Sequence, residues 1–385
     1  MAEARDGRHT GHVGSQLTAE RVRRDIEVLA RGGLDIPTFM AEVDDSLGRA
    51  VRSCASCVAT LDPATNLLTG GFKFCDLAGR DEHDHEWGLV EYGQVESTSL
   101  TELARADLPA ASIQISTGGD PQRSARMRDF VTPYFGYADE LRVVARIGNR
   151  AWGGVAWFCD EPFKPEDIDF VASLSAVLAT GLRAGILARL ALTPPAPTAG
   201  PAVIVVDADN QISQVSAGAQ ARLDELVTGS HAVAPTAMIG ALVGGARRYA
   251  AGLSDTLPRN RVQLADGQWL VLHASPLSDA DGATGNVVLT IEDARPPDIV
   301  PLVVAALDLT PRERDVTQLV LRSIDTKHIA TTLHISTYTV QDHLKSVFEK
   351  AGVNNRRELV NRVFLGQYAP RLGAELAPSG WFLDA

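Results

Sequence analysis

The fold of the C-terminal part of this 385-residue chain is decided by one stretch, LDLTPRERDVTQLVLRSIDTKHIATTLHISTYTVQDHLKSVFEKAGVNNRRELVNRVF, from Leu307 to Phe364. It begins with a strong signal for the start of a helix. Thr310 and Glu313 have the spacing of a capping box, and Pro311 stands at the first helical position, where no backbone N–H is needed. The stretch therefore predicts a helix that begins at Pro311.

Three further helices are predicted in the same stretch from their end signals. Asp325 and Ser336 are side chains that accept hydrogen bonds from the free amides of a helix start. Gly352 is typical of the position after a helix end, and Asn355 with Glu358 makes a second capping box. Four helices joined by short turns are expected, the third running from Ser336 to about residue 351.

The third helix has one apolar and one polar face. Val340, Leu344 and Val347 follow each other at helical spacing and are expected to face the core. The opposite face then consists of Tyr338, Gln341, Asp342, Lys345 and Glu349. A polar helix face of this width fits the major groove of DNA, where glutamine can pair with adenine and lysine with guanine.

This stretch resembles the LuxR-type, or GerE-type, DNA-binding domain over nearly 60 residues. The resemblance is carried by Leu309-Thr310-Pro311-Arg312-Glu313, Ile329-Ala330, Ile335-Ser336, Thr339-Val340, His343-Leu344, Gly352-Val353 and Arg356. It implies a helix-turn-helix that binds double-stranded DNA. The residues expected at the DNA are Thr337, Tyr338, Thr339, Gln341, Asp342, Lys345, Arg356 and Arg357. Many members have a basic residue where this chain has Gln341, and the next residue, Asp342, would repel phosphate, so a different sequence specificity is expected.

Two proline-rich stretches divide the rest of the chain, at 192–202 and at 293–302. We therefore predict a disordered lead-in (1–17), two sensor domains (18–191 and 201–293), and the helix-turn-helix domain with a C-terminal tail (300–385). The predicted fold class is α+β and multidomain. Each sensor domain is an antiparallel sheet flanked by helices, and the last domain is all-α with four helices.

The first domain is predicted to contain helices from Thr18 and Pro37, then strands at 57–62 and 67–74. A β-hairpin follows from Leu141, with its turn at residues 148–150, and a long helix runs from Pro165 to Leu190. The stretch 76–110 is acidic and irregular and receives no assignment. The second half resembles the end of a GAF domain, through Gly153-Gly154-Val155-Ala156-Trp157, Pro162-Phe163 and Pro165-Glu166-Asp167.

The second domain is predicted as two strands, two helices and three strands, with Asp-Gly turns that are typical of hairpins. In order and size it resembles a small PAS domain. It lacks a recognisable cofactor signature, so no cofactor is predicted for the chain.

An effector pocket is predicted in the first domain, beside the segment 76–135. Long segments without clear periodicity are more often functional than inert. The expected lining is Trp87, Tyr92, Phe130, Tyr134, Phe135 and Trp157, around an unknown small molecule. The alternative is that side chains fill this space and the domain only dimerises. The helices at 165–190 and 18–29 are the expected seam of a homodimer.

Two other mechanisms remain open as alternatives. Cys54, Cys57 and Cys75, with the histidines at 83 and 85, could form a redox or metal sensor, although their spacing matches no zinc pattern and core thiols are favoured. Asp207 could accept a phosphoryl group in a response regulator, although a hairpin turn is favoured there. No metal site is predicted.

Composition excludes several other classes of protein. The net charge of −12 argues against a general polyanion binder, yet residues 307–368 hold nine lysines and arginines against seven acidic residues. No Gly-Lys pair occurs, which excludes a P-loop, and no catalytic triad or paired carboxylates are found, so an enzyme is not expected. The absence of a long apolar run and of a signal peptide predicts a cytoplasmic protein without membrane contact.

Overall fold

The computed structural model describes residues 16–189, 202–229, 235–264, 267–279 and 282–363. These residues belong to two compact units. The first unit holds the chain up to Leu61, then Gly70–Leu182 and Ala232–Gly244, and the second holds the remainder. Most of the predicted lead-in, the linker at 190–201 and the tail from residue 364 lie outside the described residues.

The first sheet has five strands in the order β2-β1-β5-β4-β3. They are β1 (Ala55–Leu61), β2 (Leu68–Cys75), β3 (Ala110–Ser112), β4 (Asp139–Ile147) and β5 (Arg150–Cys159). The predicted hairpin is confirmed as β4 and β5, which pair antiparallel across a turn at Gly148, a glycine with positive φ. Strand β1 pairs antiparallel with β5, so β5 lies at the centre of the sheet.

Within the described residues, seven helices accompany this sheet. They are α1 (Gln16–Arg31), α2 (Ile36–Leu47), α3 (Asp84–Gly93), α4 (Leu100–Leu103), α5 (Ile113–Ser116), α6 (Thr132–Phe135) and α7 (Pro165–Arg189). Short 3-10 and π-helical turns cover Pro121–Arg123 and Met127–Val131. Helices α3 and α4 correct the prediction of an irregular segment at 76–110. Helix α3 buries the acidic Asp84 and Glu91 and has no side chain at Gly88, so it lacks the apolar periodicity that identifies a helix.

Helix α7 packs closely against the first sheet and its neighbours. A Cβ atom on Gly181 would lie 2.0 Å from the ring of Phe39, so the ring occupies the space above this glycine. By length and composition, Pro165–Ala188 could cross a membrane, which the sequence prediction did not anticipate. Half of this stretch is buried inside the protein, and core helices of soluble proteins meet the same criterion.

The second sheet has the strand order β7-β6-β10-β9-β8. Its strands are β6 (Ala202–Val206), β7 (Ile212–Val215), β8 (Arg259–Gln263), β9 (Trp269–Asp279) and β10 (Gly282–Asp293). Between β7 and β8 lie helices α8 (Ala219–Gly229) and α9 (Pro235–Ala250). The predicted sequence of elements is confirmed. Counted from its first strand, this sheet has the same strand order as the first sheet.

The first half of α9 belongs to the first unit, where it crosses α3 at backbone contact. A Cβ atom on Gly88 would lie 2.2 Å from the carbonyl oxygen of Ala237. One on Gly240 would lie 2.3 Å from the carbonyl oxygen of His85. Only glycine permits such an approach, because any side chain would displace one of the two backbones.

The described part of the second unit ends with five helices: α10 (Pro296–Ala306), α11 (Pro311–Leu321), α12 (Thr326–Leu333), α13 (Thr337–Ala351) and α14 (Arg356–Val363). Helix α10 corrects the interpretation of 293–302 as a proline-rich seam. Pro297 lies in its first turn, where a missing N–H costs nothing, and the Asp298 carboxylate accepts the Arg295 amide at 2.8 Å. The helix buries Ile299 and Leu302 in one core with β9 and helices α11–α14.

Candidate DNA-binding surface

The helix starts of the C-terminal domain are fixed by the side chains that the sequence indicated. The Glu313 carboxylate accepts the Thr310 amide at 2.8 Å, and the Thr310 hydroxyl accepts the Glu313 amide at 3.3 Å. The Asp325 carboxylate accepts two amides at the start of α12. Between α12 and α13, His334 adopts a left-handed conformation with a φ of 54°, and the Ser336 hydroxyl accepts the Thr339 amide at 3.0 Å. The short turn expected between the second and third helices of this domain is confirmed.

Helix α13 is held in one orientation by apolar and polar contacts. Val340, Leu344 and Val347 are buried, as predicted. On the same helix, Lys350 and Ser346 donate to the Glu313 carboxylate, each at 2.7 Å. Burial raises the pKa of Glu313, but the bonds from Lys350, Ser346 and the Thr310 amide outweigh it and lower the pKa to about 2. Glu313 is therefore a charged tie between α11 and α13 at neutral pH.

The opposite face of α13 is open to solvent. Its exposed side chains are Thr337, Tyr338, Gln341, Asp342, Lys345 and Glu349. Tyr338 is 76% exposed, which is unusual for a large aromatic residue without a partner surface. The predicted contact residue Thr339 is half-buried, and its hydroxyl lies 2.9 Å from that of Ser336. Thr339 therefore stabilises the start of α13 and contributes little to its exposed face.

The two predicted arginines of α14 differ in their surroundings. Arg357 is exposed. Arg356 is half-buried, and its guanidinium donates to the carbonyl oxygen of Ile324, in the connection between α11 and α12. Lys327 and Arg322, which were not predicted as contact residues, are exposed on either side of this connection. They could have been predicted from the sequence, because basic residues that flank a helix start are suited to phosphate contacts.

The predicted effector residues of the first domain do not all meet. Phe130, Phe135 and Trp87 belong to one apolar cluster that also contains Tyr137 and Phe158. The ring centroids of Phe130 and Phe135 are 5.6 Å apart. Tyr134 is exposed and lies 5.4 Å from Phe130, ring to ring. Tyr92 and Trp157 are buried but do not belong to this cluster. Trp157 precedes Phe158 in β5, and adjacent residues of a strand point to opposite faces.

A buried charge network lies beside this cluster and was not found from the sequence. Arg142 of β4 donates to Glu140 at 2.6 Å and to Glu91 of α3 at 2.7 Å. Arg126 donates to the other Glu140 oxygen at 2.8 Å and to the Thr98 hydroxyl at 3.0 Å. All four charged side chains are 2% exposed or less. Such a network survives burial only because each charge is paired and hydrogen-bonded.

The two arginines of the network keep Glu140 ionised. Burial raises the pKa of Glu140, but Arg126 and Arg142 outweigh this and hold the pKa below its usual value. Glu91 joins the network to α4 as well, because its second oxygen accepts the Leu100 amide at 2.7 Å. One signal for the network was present in the sequence. Glu140 and Arg142 alternate in a strand and therefore share a face of the sheet.

The alternative sites receive little support from the described residues. In that part of the chain, no group of three histidine, cysteine or acidic side chains is placed to hold a metal ion. Burial raises the pKa of Cys57 to about 12, so this thiol is protonated at neutral pH. The Asp207 carboxylate accepts the amides of Asp209 and Gln211 at 3.0 and 2.9 Å, as expected for a turn between β6 and β7.

Comparison with known proteins identifies the C-terminal domain. Residues 307–363 match the family described as bacterial regulatory proteins, luxR family. The spore germination protein GerE of Bacillus subtilis is 42% identical over 52 residues, which are 14% of this chain and 70% of GerE. A Mycobacterium tuberculosis protein described as an HTH-type transcriptional regulator is 47% identical over 53 residues. That match covers 14% of this chain and only 6% of the mycobacterial protein.

Solved structures also resemble the chain, at low similarity. The GAF domain of A. Aeolicus nlh2 is 12% identical, with a TM-score of 0.30, over 44% of this chain and 97% of that one. The GAF-like and PAS-like assignments of the two sheets stay predictions. For the C-terminal domain, the geometry of α11–α14 and the similarity to GerE agree, and the chain belongs to the luxR family of bacterial regulatory proteins.

Proposed function

We propose that this protein is a sequence-specific DNA-binding regulator of transcription that acts in the cytoplasm and has no catalytic activity. The observation that carries the proposal is the exposed polar face of α13 on a fully capped helix-turn-helix. Its apolar residues are buried, so Tyr338, Gln341 and Lys345 are available to base edges in the major groove. Arg357 and Lys327 are exposed and can meet the phosphates on either side.

The experiment is a selection of bound duplexes from a random DNA pool with the full chain. An enriched motif supports the proposal. Retention of unselected DNA at low salt only, with loss at physiological salt, would show electrostatic binding without sequence readout and would contradict it.

We further propose that the protein binds DNA as a homodimer. One helix-turn-helix covers few base pairs, and such modules gain affinity by occupying paired half-sites. Helices α1 and α7 offer the surface: Leu17 and Val28 of α1 are each 72% exposed, and α7 exposes the small residues Ser173 and Ala176. A two-fold symmetric selected motif and a dimer in sedimentation at micromolar concentration support this. A monomer with and without DNA contradicts it.

The signal is proposed to be a small molecule that binds in the first domain. Helix α3 holds Trp87 at the aromatic cluster and Glu91 in the charge network, so apolar and charged groups converge there. Sites for small molecules combine apolar walls with a few fixed polar groups in this way. Native mass spectrometry after incubation with a metabolite extract tests the proposal. A bound mass that is lost in Trp87→Ala, but kept in the surface variant Arg105→Ala, supports it, and an unchanged mass in both variants places the ligand elsewhere.

A further inference from the structure

Two cysteines of the first unit are neighbours where β1 begins and β5 ends. Strand β1 pairs with β5 from Ala55 opposite Phe158; Cys54 directly precedes Ala55, and Cys159 directly follows Phe158. The Cys54 amide donates to the Phe158 carbonyl at 2.8 Å, so the two chains are still paired at this point. This bond places Cys54 against the peptide unit that joins Phe158 to Cys159, so the backbones of the two cysteines are direct neighbours. A disulfide requires such neighbours, because it spans Cα atoms about 4.4 to 6.8 Å apart.

The Cys54 thiol lies close to the Cys159 thiol and to the Asp160 amide. Cys54 is partly exposed, whereas Cys159 is buried and 3% exposed. The pairing differs from the one considered from the sequence, which grouped Cys54 with Cys57 and Cys75. Cys75 is exposed at the end of β2, and Cys57 lies inside β1.

We propose that Cys54 and Cys159 are a reversible thiol–disulfide pair that is oxidised by low-molecular-weight disulfides. The thiolate of Cys54 attacks one sulfur of the small disulfide, which breaks its S–S bond, forms a mixed disulfide and releases one thiolate. The Cys159 thiolate then attacks the Cys54 sulfur, forms the protein disulfide and releases the second thiolate. The two protein thiols lose two protons and two electrons, and the small disulfide is reduced to two thiols.

The surroundings set the rate and the structural consequence of this step. Burial raises the pKa of Cys54 to about 11, so the reactive thiolate is scarce at neutral pH. Oxidation is therefore slow at pH 7 and accelerates about tenfold per pH unit. Arg52 and Glu161 form a salt bridge of 2.8 Å between the same two chain segments. The disulfide would add a covalent link next to it, just before α7 begins.

The test uses the full chain with oxidised glutathione at pH 7.5 and pH 8.5, followed by alkylation and non-reducing peptide mapping. We expect a cross-linked peptide pair containing Cys54 and Cys159, which forms about ten times faster at pH 8.5 and disappears with dithiothreitol. Cys54→Ser should abolish the cross-link and leave Cys159 as a free thiol. Cys75→Ser is the matched control and should keep the cross-link.

Three results would overturn the proposal in the wild-type chain, where folding of a variant is not an issue. They are a disulfide from Cys54 to Cys57 or Cys75, a stable glutathione adduct on Cys54, and full alkylation of both thiols after prolonged oxidation. The readout does not involve DNA, so its failure leaves the proposed regulatory function untouched.

Discussion

The two five-stranded sheets share one strand order but differ in the chain segments that pack against them. In the first sheet, the third and fourth strands are joined by residues 113–138, which contain α5, α6 and two short helical turns. In the second sheet, the corresponding connection is residues 264–268. The long connection brings Arg126 against Glu140 of β4, whereas Trp269 and Val271 of the second sheet enter the apolar core of the C-terminal helices.

This difference separates the roles of the two sheets. The first encloses a network of paired charges that is shielded from solvent. The second provides an apolar surface on which α10 and the DNA-binding helices share one core. The same strand order therefore accommodates a buried four-membered charge network against one sheet and an apolar core shared with the C-terminal helices against the other.

The largest effect is expected from Arg142→Met in the first sheet. The substitution leaves the buried carboxylates of Glu91 and Glu140 to share a single arginine, Arg126. Removing one member of a buried ion network costs about 3 to 5 kcal/mol of the free energy of unfolding. Urea denaturation monitored by tryptophan emission measures this loss, since Trp152 and Trp157 are buried in this sheet.

The control is the exposed Arg105→Met, which should change the free energy of unfolding by less than about 0.5 kcal/mol. A loss below about 1 kcal/mol for Arg142→Met would refute the network's role.

A smaller effect is expected from Arg222→Met in the second unit. Arg222 is itself buried, and it donates to Asp293 at 2.9 Å and to Glu225 at 2.8 Å. Both carboxylates keep some contact with solvent, so water can replace the lost guanidinium. The expected loss is about 1 to 3 kcal/mol, measured by urea unfolding monitored by circular dichroism. A cost equal to that of Arg142→Met would remove the contrast between the two sheets.

The smallest effect concerns Glu313, in the core that the second sheet shares with the C-terminal helices. Its pKa is about 2 in the folded protein, below its ordinary value. Its stabilisation is therefore complete above pH 4.5 and is lost as the pH falls from about 4.5 to about 2. Glu313→Gln should cost about 1 kcal/mol at pH 7 and remove this acid dependence.

Helicity against pH at fixed urea concentration checks the Glu313 prediction, with the exposed Glu349→Gln as the control. Equal acid sensitivity in wild type and Glu313→Gln would show that the hydrogen bonds of Glu313 between α11 and α13 contribute nothing to the free energy of unfolding.

The C-terminal domain could be predicted from the sequence almost helix by helix. Its helix starts depend on side chains such as Asp325 and Ser336 that act on amides two or three residues away. The spacing of these residues along the sequence is therefore sufficient to predict where the helices begin. The strands and turns of the sheets were also predictable, because alternation and Asp-Gly pairs are local signals. The exception is β3, whose three residues are too few to show alternation.

The buried charges and the crossing of α3 and α9 could not be predicted in this way. From the sequence alone, Glu91 cannot be distinguished from a surface glutamate, because its partner Arg142 lies about fifty positions later in the chain. Gly88 indicates a turn or a flexible position by itself, and only the approach of Ala237 shows why no side chain fits. Such features depend on tertiary contacts between distant residues. The aromatic cluster was partly predicted, since Trp157 was assigned to it without regard to the face of β5.

The central claim is that the exposed face of α13 recognises DNA, and Lys345→Ala tests it most directly. Binding of wild type and variant is measured by fluorescence anisotropy on the selected duplex and on a scrambled duplex, at several salt concentrations. A base contact is worth about 1 to 3 kcal/mol, so Lys345→Ala should weaken binding to the selected duplex about 5- to 150-fold. Binding to the scrambled duplex should change far less. Equal affinities of wild type and variant for the selected duplex at every salt concentration would contradict the account.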